Sequence, residues 1–209
     1  MKENTIITIG RQFGSGGREI GRKLAERLGI PFYDKELLTH AAQASGLSQE
    51  VMAYFDEQPT NSLLYSLSTG VYSMGEVGVA NYNLPVNQQV FQAQFDAIRA
   101  LAENGSCVIV GRCADYVLEK HPQLVNVFVC ADLQARMERV AEYDKISLAD
   151  AKSRIAKSDK KRASYYNFYS GKKWGVASTY DLCVNSSMVG YDNAVEIIAR
   201  FAEMKYPNE

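Results

Sequence analysis

Short runs of apolar, β-branched residues alternate along this chain with longer stretches whose apolar positions recur every three or four residues. TIITI at residues 5–9 predicts a buried first strand, followed by a glycine-rich turn. Ile20, Leu24 and Leu28 then share one face of a helix over about 17–28, which Gly29 caps and Pro31 prevents from continuing. Phe32-Tyr33-Asp34 predicts a second strand ending in an acid, and 35–45 a helix stopped at Gly46. Phe91, Phe95, Ile98 and Ala102 place one apolar face on a long helix ending before Gly105. SCVIV (106–110) and LVNVFVC (124–130) predict strands three and four, and Asp132 caps a helix carrying Arg136 and Arg139. YDLCV (180–184) predicts the fifth strand, and Val195, Ile198 and Ala202 the buried face of a closing helix. Strands alternating with helices predict an α/β fold, a five-stranded parallel sheet with helices on both faces. Ligands bind such sheets at the carboxyl ends of the strands. The polar residues gather there: 14–18 after strand one, Asp34 after strand two, Arg112 and Asp115 after strand three.

At 209 residues the chain reads as one domain with a small helical insertion at about 45–90. Within that insertion, residues 58–90 carry a single charge, Glu76, together with Tyr65, Tyr72 and Tyr82. An uncharged surface of this kind suits a homo-oligomer interface or a cover over a substrate, and equally a helix pair packed on the body. Lys plus Arg number 23 and Asp plus Glu 24, for a net charge of −1. That balance argues against a chain built to coat nucleic acid or membrane. No run approaches the roughly 20 apolar residues of a membrane span, and the apolar run after MKEN is too short for a signal-peptide core. Of four cysteines none forms a CxxC pair, and Cys130 and Cys183 read as small buried hydrophobes. A reduced, cytoplasmic location follows as the expectation. The two histidines, His40 and His121, have no metal-ligand spacing and no GxSxG elbow, so neither zinc nor a Ser-His-Asp device is expected.

The segment most suggestive of chemistry is GRQFGSGGRE, residues 10–19, joining strand one to an amphipathic helix. Gly14, Gly16 and Gly17 let the backbone wrap closely around a ligand, with N–H groups and the helix N-terminus directed at it. That is a phosphate cradle, to which Arg11, Gln12, Ser15, Arg18 and Glu19 also belong, although it is not a strict GxxxxGK[ST] sequence. Arg112 suits a phosphate because its guanidinium fork donates to two oxygens at once; pairing with Asp115 is the structural alternative. Asp34 could orient an acceptor or a metal-bound water, or cap the next helix. Residues 152–173 hold eight basic residues and one acid, Asp159, and such a run is commonly a solvated helix face. Where the run reads KKRASYYNFY, 160–169, cations and aromatics interleave, which raises an RNA-binding module as a further reading.

ITIGRQFGSGGREIGRKLAERLGIPFYD, residues 7–34, resembles the start of nucleoside monophosphate kinases, from first strand through P-loop to the acid after strand two. VIVGRCAD (108–115), VFVCADLQARMERV (127–140) and YDLCVNSSMVGYDNAVEII (180–198) continue the resemblance, most closely to cytidylate kinase-like proteins, with Asn185 where an Asp is usual. The resemblance implies a P-loop NTPase-type three-layer fold with a lid, here at about 144–176. It implies ATP and Mg2+, and phosphoryl transfer to a nucleoside monophosphate, CMP foremost. It assigns Asp34, Arg112 and Asp115 to the acceptor and offers, from the lid region, Arg154 and Arg162 as catalytic cations, with Arg136, Lys160 and Lys161 as further lid candidates. The P-loop lysine position holds Gly17, the position of the hydroxyl residue Glu19, and that of the first Walker glycine Arg11. Arg18 is therefore the expected source of the missing positive charge. The same substitutions open the alternative of a nucleotide-binding regulatory protein without kinase turnover.

Overall fold

The computed structural model describes residues 1–57 and 85–207. Five strands form one sheet: β1 (Ile6–Arg11), β2 (Phe32–Tyr33), β3 (Cys107–Val110), β4 (Leu124–Cys130) and β5 (Leu182–Asn185). Their order is β2-β3-β1-β4-β5 and every pairing is parallel. β1 lies at the centre, with Ile7 level with Val108 on one side and Val125 on the other.

The two-residue period of the strands splits the core. On one face Ile7, Ile9, Val108, Val125 and Val127 pack against Ile20 and Leu24 of α1 (Gly17–Leu28) and Val195 and Ile198 of α9 (Tyr191–Lys205). On the other, Ile6, Cys107 and Ile109 pack against Leu37 of α2 (Glu36–Ser45), Ile98 and Leu101 of α4 (Val86–Glu103), and Ala114 of α5 (Ala114–Val117). Between α2 and α4 lies α3 (Gln49–Phe55), and after β4 come α6 (Leu133–Asp144), α7 (Leu148–Ser170) and α8 (Ser186–Val189). The five-stranded parallel sheet and α1, down to its left-handed cap at Gly29, agree with the sequence reading.

Three details differ. Ile98 and Ala102 are buried as expected, together with Val90, Ala93, Ala97 and Leu101, while Phe91 turns toward Tyr165 and Tyr169 of α7 and Phe95 is half-buried beside Phe91. The last strand starts at Leu182, because Tyr180 closes a 3-10 turn, its N–H donating to the Ala177 carbonyl at 3.1 Å. Cys107 and Cys113 are the buried cysteines, whereas Cys130 is only half-buried and Cys183 is exposed because β5 is the sheet edge. Of the uncharged segment, 58–84 lie outside the described residues.

Candidate active site

The cradle is built by the loop between β1 and α1. Its start is tied to β4: the Gln12 N–H donates to the Val129 carbonyl (3.0 Å), and the Gln12 side-chain oxygen accepts from the Ala131 N–H (3.1 Å). Ser15 points inward, its hydroxyl donating to the Gln12 carbonyl (2.9 Å) and its own carbonyl accepting from the Ser186 hydroxyl (2.5 Å). Gly14 and Gly16 have φ of +77° and +80°, the left-handed region that favours glycine. A Cβ on Gly16 would also lie 2.2 Å from the Tyr191 ring, so this ring packs where only glycine fits. Held this way, the backbone N–H groups of Gly14, Gly16, Gly17 and Arg18 meet no hydrogen-bond acceptor among the described residues. These are the orphan donors of a helix start, aligned with its positive end. The neighbouring Phe13 N–H is taken by Asp159 of α7 (2.7 Å), a carboxylate that also accepts from Arg136 (2.6 Å). Arg136 is buried, and its Nε has no partner among the described residues.

Beside the cradle, at the ends of β2 and β3, side chains rather than backbone dominate. Arg112 and Cys113 both have left-handed backbone, with φ of +52° and +53°. Such turns are strained for residues with a Cβ and bend the chain back on itself. The Arg112 guanidinium consequently lies under its own strand. It donates to the Val110 carbonyl (3.0 Å), to Asp34 (2.7 Å) and, through two nitrogens, to Asp56 (3.1 and 2.9 Å). Its side chain is only 3% exposed, and Asp34 only 5%. Glu57 forms the second knot, accepting from Arg11 (2.7 Å), Arg162 (3.3 Å) and the Arg112 N–H (3.4 Å). A cavity of 20 Å³, room for about one water, is bordered by Arg11, Glu57, Asp115, Arg162 and Tyr166.

These charges tune one another. Burial alone would raise the Glu57 carboxyl, but the positive charges of Arg11, Arg162 and Arg112 hold it far below the usual range. Asp34 shows the same balance with Arg112 as the main cation and ends below its ordinary value. Arg162 is pushed down to about 10 by burial and by the nearby charge of Arg11, and stays protonated at neutral pH. Asp115 goes the other way: burial raises its carboxyl against the hydrogen bond from Tyr166.

The candidate residues therefore distribute unevenly. Arg18 turns out of the cradle to a neighbouring acid, its Nε 2.5 Å from Asp34 and its side chain 60% exposed. Glu19 faces outward, bonded to Arg22 three residues on, because one helix step rotates it away from the loop mouth. Arg112 pairs with Asp34 and Asp56 and not with Asp115, whose carboxylate accepts from the Tyr166 hydroxyl (2.6 Å) and Asn126 (3.4 Å). Asp34 does not cap α2 with its side chain, since Arg18 and Arg112 occupy both oxygens. Arg162 enters the site, its Nη1 also donating to the Arg11 carbonyl (3.2 Å). Arg154 remains at the surface with Asp144 (3.0 Å), and Lys160 is exposed. The aromatics of 160–169 are used internally: Tyr165 and Tyr166 are buried, and Tyr169 stacks on Phe91 with ring centres 3.8 Å apart. Asp56, Glu57, Asp159 and Tyr166 were not singled out by the sequence. Asp159 alone left a signal, as the one acid in a basic run.

Residues 6–188 match the family model described as the cytidylate kinase-like family. The chain belongs to the cytidylate kinase-like family. Curated relatives include the cytidylate kinase of Pyrococcus horikoshii, 26% identical over 89% of this chain and 82% of that protein. The cytidylate kinase of Methanopyrus kandleri is also 26% identical, over 93% and 91%. Among solved structures, an uncharacterized protein from Eubacterium ventriosum is 32% identical with a TM-score of 0.71, covering 95% of this chain and 98% of its own. Shikimate kinase from Bacteroides thetaiotaomicron shares the fold alone, with a TM-score of 0.52 at 13% identity and 98% coverage of both chains. No described helix is long and apolar enough to cross a membrane.

Proposed function

We propose that this member of the family transfers the γ-phosphoryl group of ATP to a nucleoside monophosphate, with CMP as the acceptor. The observation that carries the reading is the adjacency of two anion-binding devices: a cradle of unclaimed N–H groups at Gly14, Gly16, Gly17 and Arg18, and the arginines 11, 112 and 162 beside it. The named activity of the curated relatives supplies the acceptor.

In this reading the cradle takes the ATP phosphates on fixed backbone dipoles that need no reorganisation. A phosphate oxygen of the monophosphate attacks the γ-phosphorus. The new P–O bond forms as the bond to the β–γ bridging oxygen breaks, and ADP leaves with that electron pair. No protein base is required, because the acceptor phosphate is already ionised at neutral pH. Arg112, Asp34 and Asp115 hold the acceptor, with Arg18 joined to them through Asp34. Arg162 brings positive charge from the lid to the moving group, and Arg136 braces the loop. Among the described residues no three metal-ligating side chains converge, and Asp34, Asp56 and Glu57 are each bound to arginine. Magnesium accordingly belongs to the substrate, arriving on the ATP phosphates, as this ion commonly does.

A coupled ADP-release assay with MgATP and a panel of monophosphates tests the reading. Turnover with CMP above the other acceptors is the expected result, and none with any monophosphate would reject it. The glycine at position 17 favours one second reading, a nucleotide-binding regulatory protein without turnover. It would show ATP binding in the absence of ADP release.

A further inference from the structure

We propose that Arg11 is the P-loop cation of this chain, its guanidinium reaching the phosphate site from the loop's first position across the space left open by Gly17. The inference rests on the kinase reading above and deepens it. Two glycines carry the argument. A Cβ on Gly17 would stand 2.5 Å from Cβ and 3.2 Å from Cγ of Arg11, so the Arg11 stem lies where a side chain at 17 would begin. A Cβ on Gly111 would stand 1.9 Å from Nη1 and 2.8 Å from Cζ of Arg11, so the guanidinium lies directly over the end of β3. Both glycines are thus fitted to one arginine. A lysine at 17 and an arginine at 11 exclude each other sterically, and the chain has the second solution.

The charge environment agrees. The Arg11 side chain is 12% exposed and meets the carboxylate of Glu57 at 2.7 Å, with Arg162 on the same carboxylate. A buried anion held by two guanidinium groups and the Arg112 N–H reproduces the partners a phosphoryl oxygen would need. Arg18, the other candidate, is committed to Asp34 and largely solvated. Arg11 also stands between the donor and acceptor sides: it leaves the cradle strand and ends above Gly111, next to the Arg112 turn.

The test is a swap. Binding of the β,γ-imido analogue of ATP with Mg2+ is measured by calorimetry on the parent, on Glu57→Gln, on Arg11→Met/Glu57→Gln, and on Arg11→Gly/Gly17→Lys/Glu57→Gln. Pairing each Arg11 change with Glu57→Gln avoids leaving a buried carboxylate short of a cation, and thermal melting confirms that each variant is folded. Loss of one charge-assisted contact predicts about 10- to 150-fold weaker binding in the Met/Gln variant than in Glu57→Gln alone. The swap should recover most of that loss, since removing the Arg11 stem leaves Val129 Cβ, at 3.3 Å, as the nearest remaining neighbour of a Cβ at 17. Turnover should follow the same order. A folded Met/Gln variant that binds like Glu57→Gln overturns the inference, and so does a folded swap that recovers nothing. A parent that binds the analogue but turns over no monophosphate rejects the kinase reading alone, while the affinities still decide the role of Arg11. A parent that does not bind the analogue rejects both.

Discussion

The cradle after β1 and the charge cluster after β2 and β3 adjoin at the same edge of the sheet, yet they are made in opposite ways. The cradle is backbone: left-handed glycines at 14 and 16 aim N–H groups that nothing described in the chain accepts from. The cluster is side chain: Arg112, Asp34, Asp56, Arg11, Glu57 and Arg162 satisfy one another within 3.4 Å. The first is prepared for an anion as it stands. The second must exchange partners before it can hold one, so its internal ion pairs set what an incoming phosphate has to outcompete.

Removing Arg112 from the cluster should therefore cost at least as much stability as a change in the cradle. Arg112→Ala removes the whole Asp56 ion pair and one of the two arginines on the buried Asp34, leaving it only the exposed Arg18. Breaking a buried pair from one side costs about 3–5 kcal/mol, read as a lower midpoint in urea. A variant within 1 kcal/mol of the parent would show that these carboxylates find other partners and that the cluster is not a structural knot. In the cradle, Gly16→Ala meets two obstacles, φ of +80° and the Tyr191 ring 2.2 Å from its Cβ. Left-handed backbone costs roughly 1–2 kcal/mol and overpacking about 1–3, so a loss of about 2–5 kcal/mol is expected. Adding Tyr191→Ala should return the packing part but not the backbone part, a split that a double-mutant cycle measures. A larger residue at 16 therefore crowds the Tyr191 ring at the start of α9.

The contrast also explains what was legible. Strand runs, the helix period and Gly29 are local, and they gave the sheet, α1 and the cradle. Gly14 and Gly16 were readable because a backbone need has one residue that answers it. The cluster is long-range: Glu57 lies 46 residues from Arg11 and 105 from Arg162, and Asp34 lies 78 from Arg112. No periodicity connects such positions. Arg18 shows the limit within a single turn: its place in the loop was plain, but its direction depends on Asp34, two strands away in the sheet. Gly17 was read as a missing lysine, and only the path of the Arg11 side chain shows what fills that space.

Glu57→Gln weakens the cluster without changing its shape. Its folded carboxyl lies well below the ordinary 4.5 because burial is outweighed by Arg11, Arg162 and Arg112. A depressed value means stability that is complete above about pH 5 and lost progressively as pH falls from the ordinary carboxylate value toward the depressed folded one. The variant should lose about 1–3 kcal/mol near neutral pH and show a flatter decline below pH 5 than the parent. It should also bind ATP about tenfold more tightly, because a negative charge beside Arg11 has been removed. Unchanged acid sensitivity together with unchanged affinity would mean that this carboxylate neither stabilises the cluster nor competes with phosphate.

The smallest effect is expected at Arg154, and it sharpens the comparison within one helix. Arg154 and Arg162 both lie on α7 and both approach the Phe13 ring, at 5.9 and 5.6 Å. Their ion pairs differ: Arg154 is 53% exposed and meets Asp144, while Arg162 is 19% exposed and meets Glu57. Water and salt screen the first pair, so its worth is about 0–1 kcal/mol at most. The Arg162 pair is shielded, and its guanidinium also donates to the Arg11 carbonyl at 3.2 Å, fixing the end of β1 on which the cradle depends. Arg154→Ala should leave the melting midpoint within about 2 °C of the parent and nucleotide affinity within about twofold. Raising salt from 0.05 to about 0.5 M should erase even that difference. An Arg154 variant as impaired as Arg162→Ala would show that the lid carries its charge to the phosphates from the exposed side of α7, and the division between a solvated arginine and a buried one would no longer predict which of them serves the site.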